Sequence, residues 1–550
     1  MVEEKQSSAK KVFFSGVLLL GLSTVLVKII GLIYKIPMLT YLGTEGMGYF
    51  NSAYEIYALF CVISTAGLPV ALSVLISAAI AKGRADEVRK IYRGALSVFL
   101  SVGALGSGVM LVFAKQFCAI IRSENAYYCI LAISPTVFFI CLSSALRGYF
   151  QGHQRMLPTA ISQVIEAIGK LGFGLLFAYL ALENGHPTPV VAAFAGVGLT
   201  LGTVFATLYL LIEKLRFEKR NTAGADVEGG STSSYREIWK SLSRLSVPMT
   251  LGASVVSLTK LIDMTMILRR LQAIGYSEAL ANEAYGSYTT LALSVYALLP
   301  TLVNSLALPL VPMLSAAIAT KDLEKQAQMV GISYRLTALF AIPASLGLTA
   351  FSYPILKLLF SGDASAVAIA APLLSCLGVS VFLSCMITAT NSVLHAYQVV
   401  NRPILALLAG ALVKVLIAYF LIGHPHVALM GAPISTFFCN AVVVICNLSF
   451  VAGYCKPPTV RASFLRPLLA SALAIGLSWG LDLGMRAWLG ENRLYTLLSL
   501  GAAVLLYLLL ACMLGAVQKE DILALPMGKP VYSVLCSLHL LKKEESSGIR

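Results

Sequence analysis

Four lysines stand inside long apolar stretches of this 550-residue sequence: Lys28, Lys170, Lys260 and Lys414. An ammonium group in hydrocarbon costs about 2.5 kcal/mol or more unless it meets water, a counter-charge or an anionic ligand. The chemistry open to it is the charge-assisted hydrogen bond to a phosphate or carboxylate oxygen. Lys35 adds a fifth cation, seven residues after Lys28. Seven residues are two helical turns, so the pair shares one face about 10 Å apart along the axis. Acidic neighbours temper this charge. Glu166 precedes Lys170 by four residues and Asp263 follows Lys260 by three, spacings at which a helix lets such pairs neutralise themselves. Glu55 is placed to pair with Lys28 or Lys35, and Arg269 and Arg270 fall near the outer end of their helix, where a solvated or headgroup role competes with a substrate role. The candidate site is therefore Lys28, Lys35, Glu55, Glu166, Lys170, Lys260, Asp263, Arg269, Arg270 and Lys414. For any one lysine taken alone the rival reading is a structural ion pair or a chain that snorkels to the interface. Four at related positions weaken that rival.

No motif for covalent chemistry accompanies these cations. The sequence has no G-x4-G-K-[ST] phosphate loop, no HExxH and no nucleophile elbow, so neither catalytic nor metal-ligating residues are assigned. The 11 cysteines are scattered through apolar segments without a CxxC and read as buried, reduced thiols; Cys118 and Cys129 are the one pair worth testing for a disulfide. Gly103, Gly106 and Gly108 lie within one apolar run and read as a close helix-packing face.

The elements that carry these residues follow from composition. The chain is 58% hydrophobic and 12% charged, whereas a soluble domain carries about 25% charged residues. It reads as an all-α polytopic membrane protein. Windows of about 20 apolar residues give fourteen expected spans, the first at 12–36, the second at 48–80 and the eighth at 284–319. Gly67-Leu68-Pro69 should break the second, and Leu308-Pro309 with Pro312 the eighth. The formal net charge of +15 does not gather into a basic groove interleaved with aromatics, so no nucleic-acid partner is expected. Of the 41 Lys and Arg, 28 fall in the leader, alternate loops and tail, eight on the opposite side and five within spans. That bias predicts cytoplasmic termini and an even number of spans in a bacterial plasma membrane. The first apolar segment lacks a small-residue cleavage site and is expected to remain as a helix.

An internal repeat organises the spans. Ser77-Ala78-Ala79-Ile80-Ala81 recurs as Ser315-Ala316-Ala317-Ile318-Ala319, and Gln151-x3-Arg155 recurs as Gln398-x3-Arg402, at offsets of 238 and 247. Two parallel six-helix repeats are a transporter architecture. The expected domains are an N-lobe at 1–215, a polar Gly/Ser-rich linker at 216–240, a C-lobe at 241–455, a further helix pair at 456–517 and a cytoplasmic tail at 518–550. Lys28 and Lys260 then lie on the first helix of each repeat, and Lys170 and Lys414 on the fifth.

Two stretches carry a family resemblance. "KIIGLIYKIPMLTYLGTEGMGYFNSAYEIYALFCVISTAGLPVALSVLIS" from Lys28 and "LIDMTMILRRLQAIGYSEALANEAYG" from Leu261 resemble the SpoVB-like polysaccharide-flippase branch of the MOP transporter superfamily, including the MurJ type of Gram-positive lipid II flippase. The resemblance implies two lobes in a V around a cationic cavity, a last helix pair lining a groove for a polyprenyl tail, and alternating access. Within it, Lys28 takes the place of a cavity arginine and Lys35 stands near a second. The sequence departs from the family's pattern at Ala58 to Val62, where that pattern is basic, and at Leu291 to Pro300, which carries no charge.

The implied activity is movement of a polyprenyl-diphosphate-linked glycan, lipid II first, from the inner to the outer leaflet for peptidoglycan synthesis. It is not an enzymatic reaction. Phosphates and hydroxyls cannot cross about 30 Å of hydrocarbon without partners, and a lysine-lined cavity would supply them. No cofactor is expected; energy would come from the membrane potential, from a Na+ or H+ gradient or from downstream consumption of the cargo. The expected partners are the lipid-linked glycan diphosphate, membrane lipids and cell-wall synthesis proteins. Rival readings are another cargo (a teichoic-acid, exopolysaccharide or spore-cortex precursor), a cation-coupled small-molecule antiporter, which would centre on acidic residues, and a non-transporting envelope scaffold.

Overall fold

Hydrocarbon offers the backbone no hydrogen-bond partners, so an apolar run that crosses it must satisfy its own amides, and a helix does so. The computed structural model describes residues 2–221, 234–307, 310–399, 401–455, 460–489 and 492–518, and these are almost wholly helical. The helices are α1 (Val2–Thr65), α2 (Leu68–Ala81), α3 (Ala85–Val112), α4 (Ala114–Ile121), α5 (Tyr127–Gly152), α6 (Leu157–Glu183), α7 (Thr188–Asn221), α8 (Tyr235–Ala273), α9 (Glu278–Ser287), α10 (Leu293–Ala307), α11 (Leu310–Ala319), α12 (Leu323–Ala350), α13 (Ser352–Leu359), α14 (Ala364–Ala396), α15 (Asn401–Ile422), α16 (Gly431–Ala452), α17 (Val460–Leu489) and α18 (Arg493–Met513).

Twelve helices among the described residues are long and apolar enough to cross a membrane, against the fourteen expected, and the chain is a multi-pass membrane protein. Two places account for the difference. The first two expected spans form one run, Ser23–Ala81, of 59 residues, about 90 Å if straight against a hydrocarbon core of about 30 Å. It is not straight: Gly43 leaves helical geometry at φ 65°, ψ 179°, a left-handed φ that glycine adopts without strain. A second break precedes α2, which starts on Leu68-Pro69 as expected. The eighth expected span is divided among α9, a π-helical turn at Tyr288–Ala292, α10 and α11, each shorter than a crossing needs. Leu308 and Pro309 lie outside the described residues.

The repeat is visible in backbone form. α3 and α12 are each 28 residues long, and each is followed after one residue by an eight-residue helix, α4 or α13, at an offset of 238. The residues before them, Gly83 and Lys321, both have positive φ, as do Gln154 and Gln398 after α5 and α14. The latter pair is 244 apart, the same separation as Lys170 and Lys414.

The chain divides into two compact units, residues 1–290 and 291–550, so α8 and α9 pack with the first. In that unit Leu72, Ile76, Phe99, Leu146 and Phe150 form a buried core that Ile238 and Leu242 of α8 join. The polar segment at 216–240 is helical at both ends, α7 reaching Asn221 and α8 starting at Tyr235 behind a Ser234/Glu237 capping box; 222–233 lie outside the described residues. Trp239 then donates to the Gly94 carbonyl at 3.0 Å, fixing α8 to α3. In the second unit a core around Val330, Leu336, Met386 and Leu394 is joined by α17 and α18, which enclose Ala470, Ala474 and Ala511. Tyr507 donates to the Leu339 carbonyl of α12 at 2.6 Å. Asp482 and Arg486, one turn apart on α17, form an ion pair at 2.9 Å.

None of the ten described cysteines, Cys118 and Cys129 included, is in a disulfide. Cys118 lies on α4, outside the crossing helices, and burial pushes its thiol up to about 12, with Glu278 and Glu124 adding to the shift. The thiolate is the reactive form, so a raised value keeps Cys118 unreactive at any pH below it. Alkylation of Cys118 by iodoacetamide at pH 8, read by peptide mass spectrometry, should be at least about tenfold slower in the folded protein than in denaturant; equal rates would contradict its burial.

Candidate functional site

The bend at Gly43 places the two halves of α1 so that both contribute to one polar cluster within the first unit. Lys35, half-buried on the first half, donates from Nζ to the Thr289 carbonyl at 3.3 Å. Thr289 lies in the π-helical turn, a form that often marks functional positions because it shifts the register in which carbonyls are presented. Asn51, buried on the second half of α1, donates from Nδ2 to the hydroxyls of Thr289 and Thr290, each at 2.9 Å. Backbone proximity makes these contacts possible. A Cβ on Gly48 would collide with the Asn282 carbonyl of α9, and one on Gly286 with the Thr44 carbonyl, so α1 and α9 meet with no side chain between them.

Lys35 lies within electrostatic reach of Lys170, Glu55 and Lys260, and Lys28 within reach of Lys260. Lys28 and Lys260 are exposed on the protein surface, whereas Lys170, Glu55, Glu166 and Asp263 are half-buried. Glu55 and Asp263 both flank Tyr285 of α9. Helices α1, α6 and α8 thus bring together Lys28, Lys35, Glu55, Glu166, Lys170, Lys260 and Asp263. Arg269 and Arg270 sit in the last turns of α8, Arg269 exposed and Arg270 half-buried, farther along the helix than Asp263. Lys414, on α15, belongs to the second unit, where it acts on Tyr296, whose hydroxyl accepts from Asn440 at 3.1 Å.

Glu166 and Lys170 have the spacing of a self-neutralising pair, and Glu166 does act electrostatically on Lys170, but its close ion pair is elsewhere: Glu166 Oε2 is held by Arg147 Nη2 of α5 at 2.8 Å, while Arg147 Nε donates to Ser162 Oγ at 2.9 Å. Ser162 and Glu166 are one turn apart on α6, so one guanidinium spans both, a geometry that a planar fork favours over a single ammonium contact. Arg147 lies within the crossing helix Glu124–Gly152. Lys170 turns to three aromatic rings of α1. Its Nζ is 4.7 Å from the Tyr54 ring centroid, 5.1 Å from Tyr34 and 5.7 Å from Phe50.

Arg147, Asn51, Thr289 and the three rings were not picked out by sequence reasoning. A signal existed for two of the rings, since Phe50 and Tyr54 are i, i+4 on one face. Nothing local says that a lysine of α6 meets them. Counting the cluster with Arg147 gives five cations (Lys28, Lys35, Lys170, Lys260, Arg147) against three carboxylates (Glu55, Glu166, Asp263), a formal net charge of +2. Such a surface suits a dianionic ligand whose oxygens accept several donors.

Comparison with known proteins follows the same lines. The family model described as polysaccharide biosynthesis protein matches residues 13–318, and the MatE model matches residues 278–420. Stage V sporulation protein B of Bacillus subtilis (strain 168) is 23% identical over 535 residues, covering 94% of this chain and 98% of that protein. The lipid II flippase MurJ of the same organism is 23% identical over 527 residues, covering 92% and 96%. Among solved structures, a lipid II flippase MurJ in an inward closed conformation aligns with a TM-score of 0.69 at 15% identity, covering 90% of this chain and 98% of that one. An inward-facing multidrug resistance MATE family transporter of the MOP superfamily aligns at 0.57 and 15% identity, covering 78% and 97%. These structural likenesses establish a shared fold.

Proposed function

The chain belongs to the polysaccharide biosynthesis protein family, within the MOP superfamily, and on that premise we propose that it is a flippase for a polyprenyl-diphosphate-linked glycan, with lipid II as the cargo. The observation that carries this reading is the cationic cluster of the first unit, net +2 and held on apolar helices. A dianionic diphosphate diester is the part of such a lipid that hydrocarbon rejects most strongly, and the cluster replaces its hydration with ammonium donors. The outer-half Lys35 and the more exposed Lys28 form a ladder along α1 for its passage. In this proposal the lobes are 1–215 and 241–455, the segment 216–240 links them, the helices of 456–517 face the polyprenyl tail, and both termini are cytoplasmic, consistent with the Lys and Arg bias.

Likeness to a sporulation protein keeps a second cargo of the same chemistry in play, a spore-cortex precursor or another polyprenyl-linked glycan. The test is translocation of labelled lipid II in proteoliposomes under an imposed inside-negative potential. It would compare the intact protein with Lys28→Gln and with a variant altered only within 222–233. We expect lipid II to move, and Lys28→Gln to lower the rate about tenfold, the worth of one charge-assisted hydrogen bond, while the 222–233 variant stays near the intact rate. Movement of a different polyprenyl-diphosphate glycan in place of lipid II would change the cargo. No movement of either, from folded protein, would sink the flippase reading.

A further inference from the structure

Lys170 stands among aromatic rings. Three rings of α1 approach its ammonium: Tyr34 and Phe50, each 2% exposed, and Tyr54. Among the described residues no carboxylate stands within ion-pair distance of it; Glu166, one turn away on the same helix, acts on it only at longer range. The reason is Arg147, which holds Glu166 at 2.8 Å and is itself steadied by Ser162. These two arrangements act in the same direction. A carboxylate partner would cancel the charge of Lys170 at the position where an anion could use it. Aromatic faces attract an ammonium through their quadrupole and carry no net charge, so they hold the group in place and leave its formal charge intact.

We propose that Lys170 is a phosphate-contacting residue for the translocated lipid, held ready by the Tyr34–Phe50–Tyr54 box, and that Arg147 is a positioning residue whose task is to keep Glu166 from pairing with it. This rests on the flippase reading and goes further: it names one contact and the device that preserves it. The box is built by packing as well as by composition. The Tyr34 hydroxyl lies against Gly174, where a Cβ would stand 2.9 Å from it, so α6 admits the ring only because residue 174 has no side chain. With the ligand present, the ammonium need only rotate about its four-carbon stem to give one or two of its three N–H donors to a phosphate oxygen while keeping ring contact.

The arrangement makes an unusual prediction about second-site rescue. Removing Arg147 frees Glu166 to pair with Lys170 at i, i+4, and removing the Glu166 charge as well should free Lys170 again. The probe is farnesyl diphosphate measured against farnesol, bound to the purified full-length protein in detergent, with thermal unfolding checked for each variant. The intact protein should prefer the diphosphate. Lys170→Met should reduce that preference about tenfold or more, as expected for one lost charge-assisted hydrogen bond. Arg147→Met should reduce it similarly, the double variant Arg147→Met/Glu166→Gln should recover most of it, and Lys170→Met/Glu166→Gln should not. Tyr54→Leu, which removes one of the three rings, should weaken binding.

A Lys170→Met protein with full diphosphate preference overturns the proposal even where lipid II translocation is intact, so the flippase reading would survive its failure. A folded double variant no better than Arg147→Met overturns the role given to Arg147. If Arg147→Met does not fold, Lys170→Met and Tyr54→Leu still decide the contact and the box. An intact protein indifferent between diphosphate and alcohol takes down this inference and the flippase reading together.

Discussion

Lys35→Glu should abolish translocation, lowering the initial rate at least about a hundredfold, while Lys35→Arg keeps it within about threefold of the intact protein. The argument is electrostatic. The substitution moves the local formal charge by two units at a half-buried position, turning the net +2 of the cluster to zero. It also sets a new carboxylate near Glu55 and facing the Thr289 carbonyl, which accepts from Lys35 Nζ at 3.3 Å in the native protein. Unit charges about 4 Å apart interact by about 4 kcal/mol at the effective dielectric of a protein surface. Solvent at a half-exposed site reduces that, and what remains still covers the roughly 2.7 kcal/mol that a hundredfold rate change requires. Arginine keeps the charge and reaches the same carbonyl. The measurement is the proteoliposome assay on protein with an unchanged unfolding temperature. A Lys35→Glu protein that transports at more than a third of the intact rate would remove Lys35 from the pathway.

The second large effect is structural. Gly48→Leu should prevent stable folding, with a cost above about 3 kcal/mol, seen as loss of monodisperse protein on purification or a steep fall in unfolding temperature. The Cβ would collide with the Asn282 backbone carbonyl, with the Asn282 Cβ only 2.9 Å away. A side-chain clash can be relieved by a new rotamer, but a backbone clash requires α1 and α9 to move apart. Separation would also pull Thr289 and Thr290 from Asn51 and break both 2.9 Å hydrogen bonds. Gly108→Leu is the control, because nothing lies within 4 Å of the position a Cβ would take there, and it should unfold close to the intact temperature. If Gly48→Leu behaves like that control, the close approach of the two helices is not a feature of the folded protein.

What the sequence determined by itself was everything that depends on local chemistry. Apolar runs of crossing length must become helices in hydrocarbon. Leu68-Pro69 must start a new helix, because proline lacks the amide donor that a continuing helix would need. The offset of 238 between repeated motifs reappears in the lengths of α3, α4, α12 and α13, since a repeated sequence builds repeated elements. The four lysines of the cluster were legible as well, because an ionisable group in an apolar stretch is conspicuous wherever it ends up.

Tertiary structure decided the partners. Glu166 and Lys170 carry the spacing of an ion pair, and only the packing of α5 beside α6 brings in a guanidinium whose fork takes Glu166 and Ser162 at once. The rings around Lys170 come from a helix more than a hundred residues earlier in the chain, and they meet it because Gly174 makes room for Tyr34. The first two expected spans meet at Gly43 with no loop between them, because a glycine can take a left-handed φ that ends the helical geometry of one segment and lets the next begin at once. Periodicity marks which face of a helix is polar; which neighbour that face meets depends on how closely two backbones can approach, and here glycines far apart in the sequence set that distance.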